Sequence, residues 1–132
     1  MEDLCNMLHG RSRENINRKS GRKNKTNKNR EKMKFNELKQ KVEQWAEDKG
    51  ILDKGTPHAQ AHKTLEEASE ILTAITQNDR AGIIDGIGDT LVTLIIQAKM
   101  NDLDILKCLE YAYNEIADRK GKMINGTFVK DK

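Results

Sequence analysis

The sequence predicts an all-α fold, and three observations carry that prediction. The chain is 34% charged and only 4% aromatic, with a single proline, a composition that favours helices over sheets. From Phe35 onward its apolar residues recur every three to four positions. Two acidic clusters, Glu66-Glu67-Ala68-Ser69-Glu70 and Asp85-Gly86-Ile87-Gly88-Asp89, also fall at helical spacing, on what read as consecutive helices. The 132 residues suit one domain, resolved as a basic tail at 1–32 and a folded domain at 33–132.

The tail holds 10 Lys/Arg against 4 Asp/Glu, a net of +6. Residues 33–132 hold 14 against 17, a net of −3. Almost nothing in residues 10–32 can enter a core, so disorder is expected there. The tail is either solvated or an arm for nucleic acid or another anionic surface. Met33 is an alternative start, since regular patterning begins beside it.

The first helix is expected from Phe35 to about Lys49, with Leu38, Val42, Trp45 and Ala46 on its apolar face. Gly50 ends it, and Gly55-Thr56-Pro57 form a loop and a new start. The second helix is expected from Pro57 to Gln77, burying Ala61, Leu65, Ala68, Leu72 and Ile75. Gln77-Asn78-Asp79 reads as a turn. The third helix, Asp79 to Met100, is apolar nearly all round, as helices covered by a partner chain are. The fourth is expected from Asp102 to Lys120, capped by Asn101 or Asp102, with Ile105, Leu106, Leu109, Tyr113 and Ile116 inward. Asn125-Gly126 between short apolar runs predicts a terminal β-hairpin.

The acids carry the chemistry. If the second and third helices run antiparallel about Asn78, level residues have numbers summing to about 156. Glu67 then faces Asp89, and Glu70 faces the Asp85–Gly86 step. Glu66, Glu67, Glu70, Asp85 and Asp89 would repel one another without cations. An all-oxygen set favours Mg²⁺, with Mn²⁺ an alternative. Asp85 and Asp89 weigh most, because an unpaired carboxylate in so apolar a helix is costly. No Glu-x-x-His pair of the di-iron bundles is present in either cluster.

Other motifs offer less. His58 and His62 share a face at a helix start and read as solvent-facing. Cys5 has His9 four residues on, but within the tail. Two cysteines, Cys5 and Cys108, give no disulfide framework and fit a reducing cytoplasm. Glu2 and Asp3 argue against a signal peptide, and Leu91 to Ile96 is too short a run to span a bilayer. No P-loop or dinucleotide fingerprint occurs.

Lys63-Thr64-Leu65-Glu66-Glu67-Ala68-Ser69-Glu70 followed by Ile84-Asp85-Gly86-Ile87-Gly88-Asp89-Thr90-Leu91-Val92 resembles the MazG-like nucleoside triphosphate pyrophosphohydrolases. These carry E-E-x-x-E and then E-x-x-D on a helical pair. The stretch from Tyr113 to Lys130 resembles the short members of bacteriophages and their hosts. The resemblance covers about residues 33–132. It implies a four-helix domain that forms an intersubunit bundle, as a homodimer or homotetramer. It implies Mg²⁺-dependent hydrolysis of a (deoxy)nucleoside triphosphate to the monophosphate and pyrophosphate, in the cytoplasm.

Carried over by position, Glu67, Glu70 and Asp89 match metal ligands. The glutamate of E-x-x-D falls on Gly86, and Asp85 beside it is the expected substitute. Gly86→Glu is then expected to be tolerated or to improve metal binding. Glu66 or Glu67 would serve as base. Lys63, Asn114, Arg119, Lys120 and Lys122 are candidates to hold the triphosphate, and Trp45 either stacks on the base or fills the core. Two alternatives stand beside this reading. One is a catalytically weak nucleotide-binding relative, the other a helical dimer binding nucleic acid through its tail.

Overall fold

The computed structural model describes residues 34–132, so the expectations for the basic tail, Met33 and the Cys5–His9 pair lie outside the described residues. The elements run α1 (Phe35–Asp48), α2 (Ile51–Lys54), α3 (Pro57–Thr76), α4 (Arg80–Met100), α5 (Ile105–Ile116), β1 (Gly121–Ile124) and β2 (Thr127–Lys130). The all-α reading with a terminal hairpin holds. The short helix α2, one turn after Gly50, was not expected.

The helix ends follow from local chemistry. Gly50 takes φ +76° and ends α1. Thr56 caps α3 by accepting from the Ala59 N–H at 3.1 Å, with Pro57 at the first helical position. Asn78 takes φ +53° after α3, and the Asp79 N–H reaches back to the Ala74 carbonyl at 2.9 Å. This Schellman closure reverses the chain within two residues, and Asp79 then caps α4 through the Gly82 N–H. The tight turn makes α3 and α4 the most extensively packed pair.

The fourth expected helix is corrected at both ends. Asp102 adopts φ +57° and the Leu103 N–H returns to the Ala98 carbonyl at 2.8 Å. Asn101 and Asp102 therefore close α4 rather than open α5. Asp104 is the cap, accepting from the Leu106 N–H at 2.9 Å. The helix ends at Ile116, not Lys120.

The hairpin matches its expectation. Asn125 and Gly126 both have positive φ, the signature of a type I′ turn, and Ile124 pairs with Thr127.

Helix α4 is central and packs against α1, α2, α3 and α5. Taken whole, it is long and apolar enough by length and composition to cross a membrane, which corrects the expectation drawn from Leu91 to Ile96 alone. Here it is a core helix carrying two buried acids.

The burial of α3 reverses the expected pattern. Ala61, Leu65, Ala68, Leu72 and Ile75 are all exposed, Leu65 by 68%. The face turned to α4 instead holds Gln60, Lys63, Glu67 and Ala74. On α5, Leu109, Tyr113 and Ile116 are likewise exposed rather than inward. Periodicity locates an apolar stripe but does not say what covers it.

Candidate active site

The antiparallel register expected from sequence is the one observed. A side chain at Gly82 would meet Ala74, and one at Gly86 would meet Ile71. The Thr64 and Thr93 hydroxyls are 3.0 Å apart. Each pair lies within one residue of the expected level.

That register buries three of the five acids. Glu67 is 0% exposed, Asp89 3% and Asp85 4%. Glu70 is half-buried, whereas Glu66 turns outward with its side chain 64% exposed. Among the described residues, no three Asp, Glu, His or Cys side chains are gathered tightly enough to form a ready-made cage. Glu67, Asp85 and Asp89 thus form a buried seam between the helices without closing into one cluster.

Lys63, expected from sequence only as a candidate to hold the triphosphate, is also a cationic partner for this seam. It is 4% exposed. Its Nζ donates to Glu66 Oε2 at 3.2 Å and lies 3.8 Å from Glu67 Oε1. Asp85 stands apart. Among the described residues, both its carboxylate oxygens are buried and accept no hydrogen bond. A buried carboxylate in that state costs free energy unless a cation meets it. By that test the residues present fit a divalent ion: hard oxygen donors, buried, on facing helices, one wholly unsatisfied.

A polar chain locks the helices one turn from the acids. Gln60 Nε2 donates to the Thr93 carbonyl at 3.1 Å across the interface. Thr93 Oγ1 donates to the Thr90 carbonyl, and Thr90 Oγ1 to the Gly86 carbonyl. Sequence reasoning missed Gln60, Thr64, Thr90 and Thr93. Their signal was a second stripe, Gln60, Lys63, Thr64, Glu67 and Glu70, on the face opposite the leucines.

Gly86 has a structural reason. A Cβ there would lie 2.8 Å from Ile71 Cγ1, with the Ile71 backbone just behind. The two helices touch at this point, so Gly86→Glu does not simply restore a ligand, contrary to the expectation.

The remaining candidates lie elsewhere. Asn114, Arg119, Lys120 and Lys122 are exposed, on the end of α5 and the strand beyond it. Among the described residues, helix α5 packs only lightly, on α4, and the hairpin makes no substantial contact with any helix, so these side chains are not brought onto the acidic seam there. His58 and His62 are exposed, their rings edge-on at 4.9 Å. Trp45 is half-buried on α1.

A family model, the MazG nucleotide pyrophosphohydrolase domain, matches residues 55–123. The match takes in both acidic motifs and more than half of the chain, which therefore belongs to this family. The chain is also similar to a phage protein, an uncharacterized 18.2 kDa protein in the rep-hol intergenic region of Haemophilus phage HP1 (strain HP1c1). The two are 38% identical over 68 residues, 52% of this chain and 42% of that relative. The chain thus spans less than half the length of that relative. No solved structure matches.

Proposed function

We propose that this chain hydrolyses a (deoxy)nucleoside triphosphate to the monophosphate and pyrophosphate, using Mg²⁺ held by Glu67, Glu70, Asp85 and Asp89, as a homodimer or larger homo-oligomer. The observation that carries the reading is the buried acidic seam of a MazG-family helix pair, in which Asp85 accepts no hydrogen bond from the described residues. When bound, Mg²⁺ offsets the charge of the phosphate oxygens and of the leaving pyrophosphate. The residues of the chain do the rest. Glu66 is the accessible acid of the motif and takes the proton of the attacking water. Glu67, buried on the face turned to α4, would help to hold the ion. The bond broken is the anhydride between the α- and β-phosphates, so no covalent enzyme intermediate is required.

The triphosphate carries several negative charges, and basic side chains must receive them. Lys63 stands at the seam. Asn114, Arg119, Lys120 and Lys122 reach it only if a second copy presents them or the hairpin swings inward. An oligomer also answers the exposed apolar faces of α3 and α4, where Leu65, Leu72, Ile84, Ile87 and Leu91 lie uncovered. Gly86 in place of the motif glutamate favours a second reading, a nucleotide-binding relative with weak turnover.

A panel of common NTPs and dNTPs, assayed with Mg²⁺ for pyrophosphate and orthophosphate separately, tests the proposal. Pyrophosphate with matching monophosphate is the expected product. Nucleotide binding without turnover across the panel would favour the second reading, and orthophosphate as the product would overturn the first.

A further inference from the structure

Lys63 is an unusual neighbour for a cation site. Its side chain is almost fully buried, and its ammonium lies within 4 Å of two carboxylates, that of Glu67 on the face that packs against α4 and that of the outward-turned Glu66. Burying Glu67 completely is tolerable because a charge of opposite sign is buried beside it. Yet Glu67 is also a residue that the metal reading assigns as a ligand. An ammonium 3.8 Å from Glu67 Oε1 and a divalent ion on the same carboxylate would repel strongly at such range and burial.

We propose that Lys63 is a built-in counter-cation for Glu67 that a divalent ion must displace, so that Lys63 sets how tightly the seam holds metal. This inference rests on the metal-binding reading above. The geometry supplies an exit. Lys63 bridges the fully buried Glu67 and the largely exposed Glu66, so Nζ has a path from the seam towards solvent along its own helix. The lysine stem is flexible, and an ammonium is readily rehydrated. Once displaced, Nζ stands on the open side of the seam, where an anionic substrate would approach. Metal entry and the release of a phosphate-binding cation then become one event.

The test needs no nucleotide. Mg²⁺, or Mn²⁺ as its paramagnetic substitute, is titrated into the full chain carrying the native sequence, Lys63→Met or Lys63→Arg. Lys63→Met is expected to bind the ion roughly tenfold tighter or more, the scale on which one like charge within about 6 Å shifts an equilibrium. Lys63→Arg, which keeps the charge, is expected to stay near the native affinity. Without metal, Lys63→Met should melt lower than the native chain, and saturating Mg²⁺ should restore most of the loss. If Lys63→Met does not fold without metal, the double variant Lys63→Met/Glu67→Gln decides. It removes the pair together and is expected to regain metal-free stability. Unchanged or weaker metal affinity in Lys63→Met overturns the proposal, as does a double variant no more stable than Lys63→Met. Native protein that binds no divalent ion at all overturns the metal reading itself. Native binding with no gain in Lys63→Met overturns only the role of Lys63.

Discussion

Asp85 and Gly86 are neighbours with opposite demands. Gly86 lies where α4 meets Ile71 and leaves no room for a Cβ, while Asp85 is buried with neither oxygen satisfied among the described residues. In a helix interior, Gly→Ala ordinarily stabilises by about 1 kcal/mol. Here Gly86→Ala is expected to destabilise by roughly 1–3 kcal/mol, because Ile71 must move. A denaturant melt reads the sign, and a gain in stability would show that the contact yields easily. Asp85→Asn is expected to weaken Mg²⁺ binding and turnover about tenfold or more. It should also raise metal-free stability, since a neutral amide is cheaper to bury than a charge without a partner. If Asp85→Asn leaves affinity and turnover unchanged while Asp89→Asn abolishes both, Asp85 is no ligand. The acidic motifs and their register were legible from residue spacing alone. Lys63 as a partner of the acids was not, because a lysine at a helical offset reads as a surface group until the packing is known.

Among the elements, α3 teaches the most. Its two stripes, one leucine-rich and one polar, are both at helical spacing, and hydropathy alone favours burying the leucines. The chain buries the polar one against α4 because that stripe satisfies itself through Gln60, Thr64 and Thr93. Thr93→Val keeps the shape and removes the hydroxyl link. It is expected to cost about 1–2 kcal/mol and to weaken metal binding by loosening the register between Glu67 and Asp89. Metal affinity unchanged in a folded Thr93→Val would separate the network from the site. The turns around α5 were misread because Asn101 and Asp102 are good caps for either end of a helix, and only the φ of Asp102 decides. Asp104, the true cap, also lies 3.3 Å from Lys39 Nζ on α1. The Leu106 N–H, first, and then Lys39 hold its carboxyl below the usual range. A lowered acid stabilises the fold above its ordinary value and loses that contribution as pH falls through the lowered one. Asp104→Asn keeps a capping oxygen but cannot titrate. Its stability deficit relative to the native chain is therefore expected to shrink as pH drops below about 3.8. A deficit independent of pH would remove the charge from the explanation.

For the whole molecule, the interior formed by the described residues is small. Among them the buried apolar residues are Ala46, Ala74, Ile95, Ile96 and Ala98, only two of them large. A domain of this length with so little apolar interior needs further cover, and the uncovered leucines and isoleucines of α3 and α4 supply a surface for it. Sedimentation is expected to show a dimer or larger species at micromolar concentration, and a stable folded monomer would refute this. A chain begun at Met33 is expected to keep its assembly and turnover, since the family match and the acidic seam both lie beyond it. The measurement that bears most directly on the account is pyrophosphate release from a nucleoside triphosphate, with Mg²⁺ and with chelator, by the native chain and by Glu67→Gln and Asp89→Asn. Release that requires Mg²⁺ and falls at least a hundredfold in both variants is the predicted result, the scale of losing electrostatic stabilisation of developing charge. Release that persists in chelator, or survives in folded Asp89→Asn, would contradict the claim that the buried carboxylates of α3 and α4 form the catalytic site.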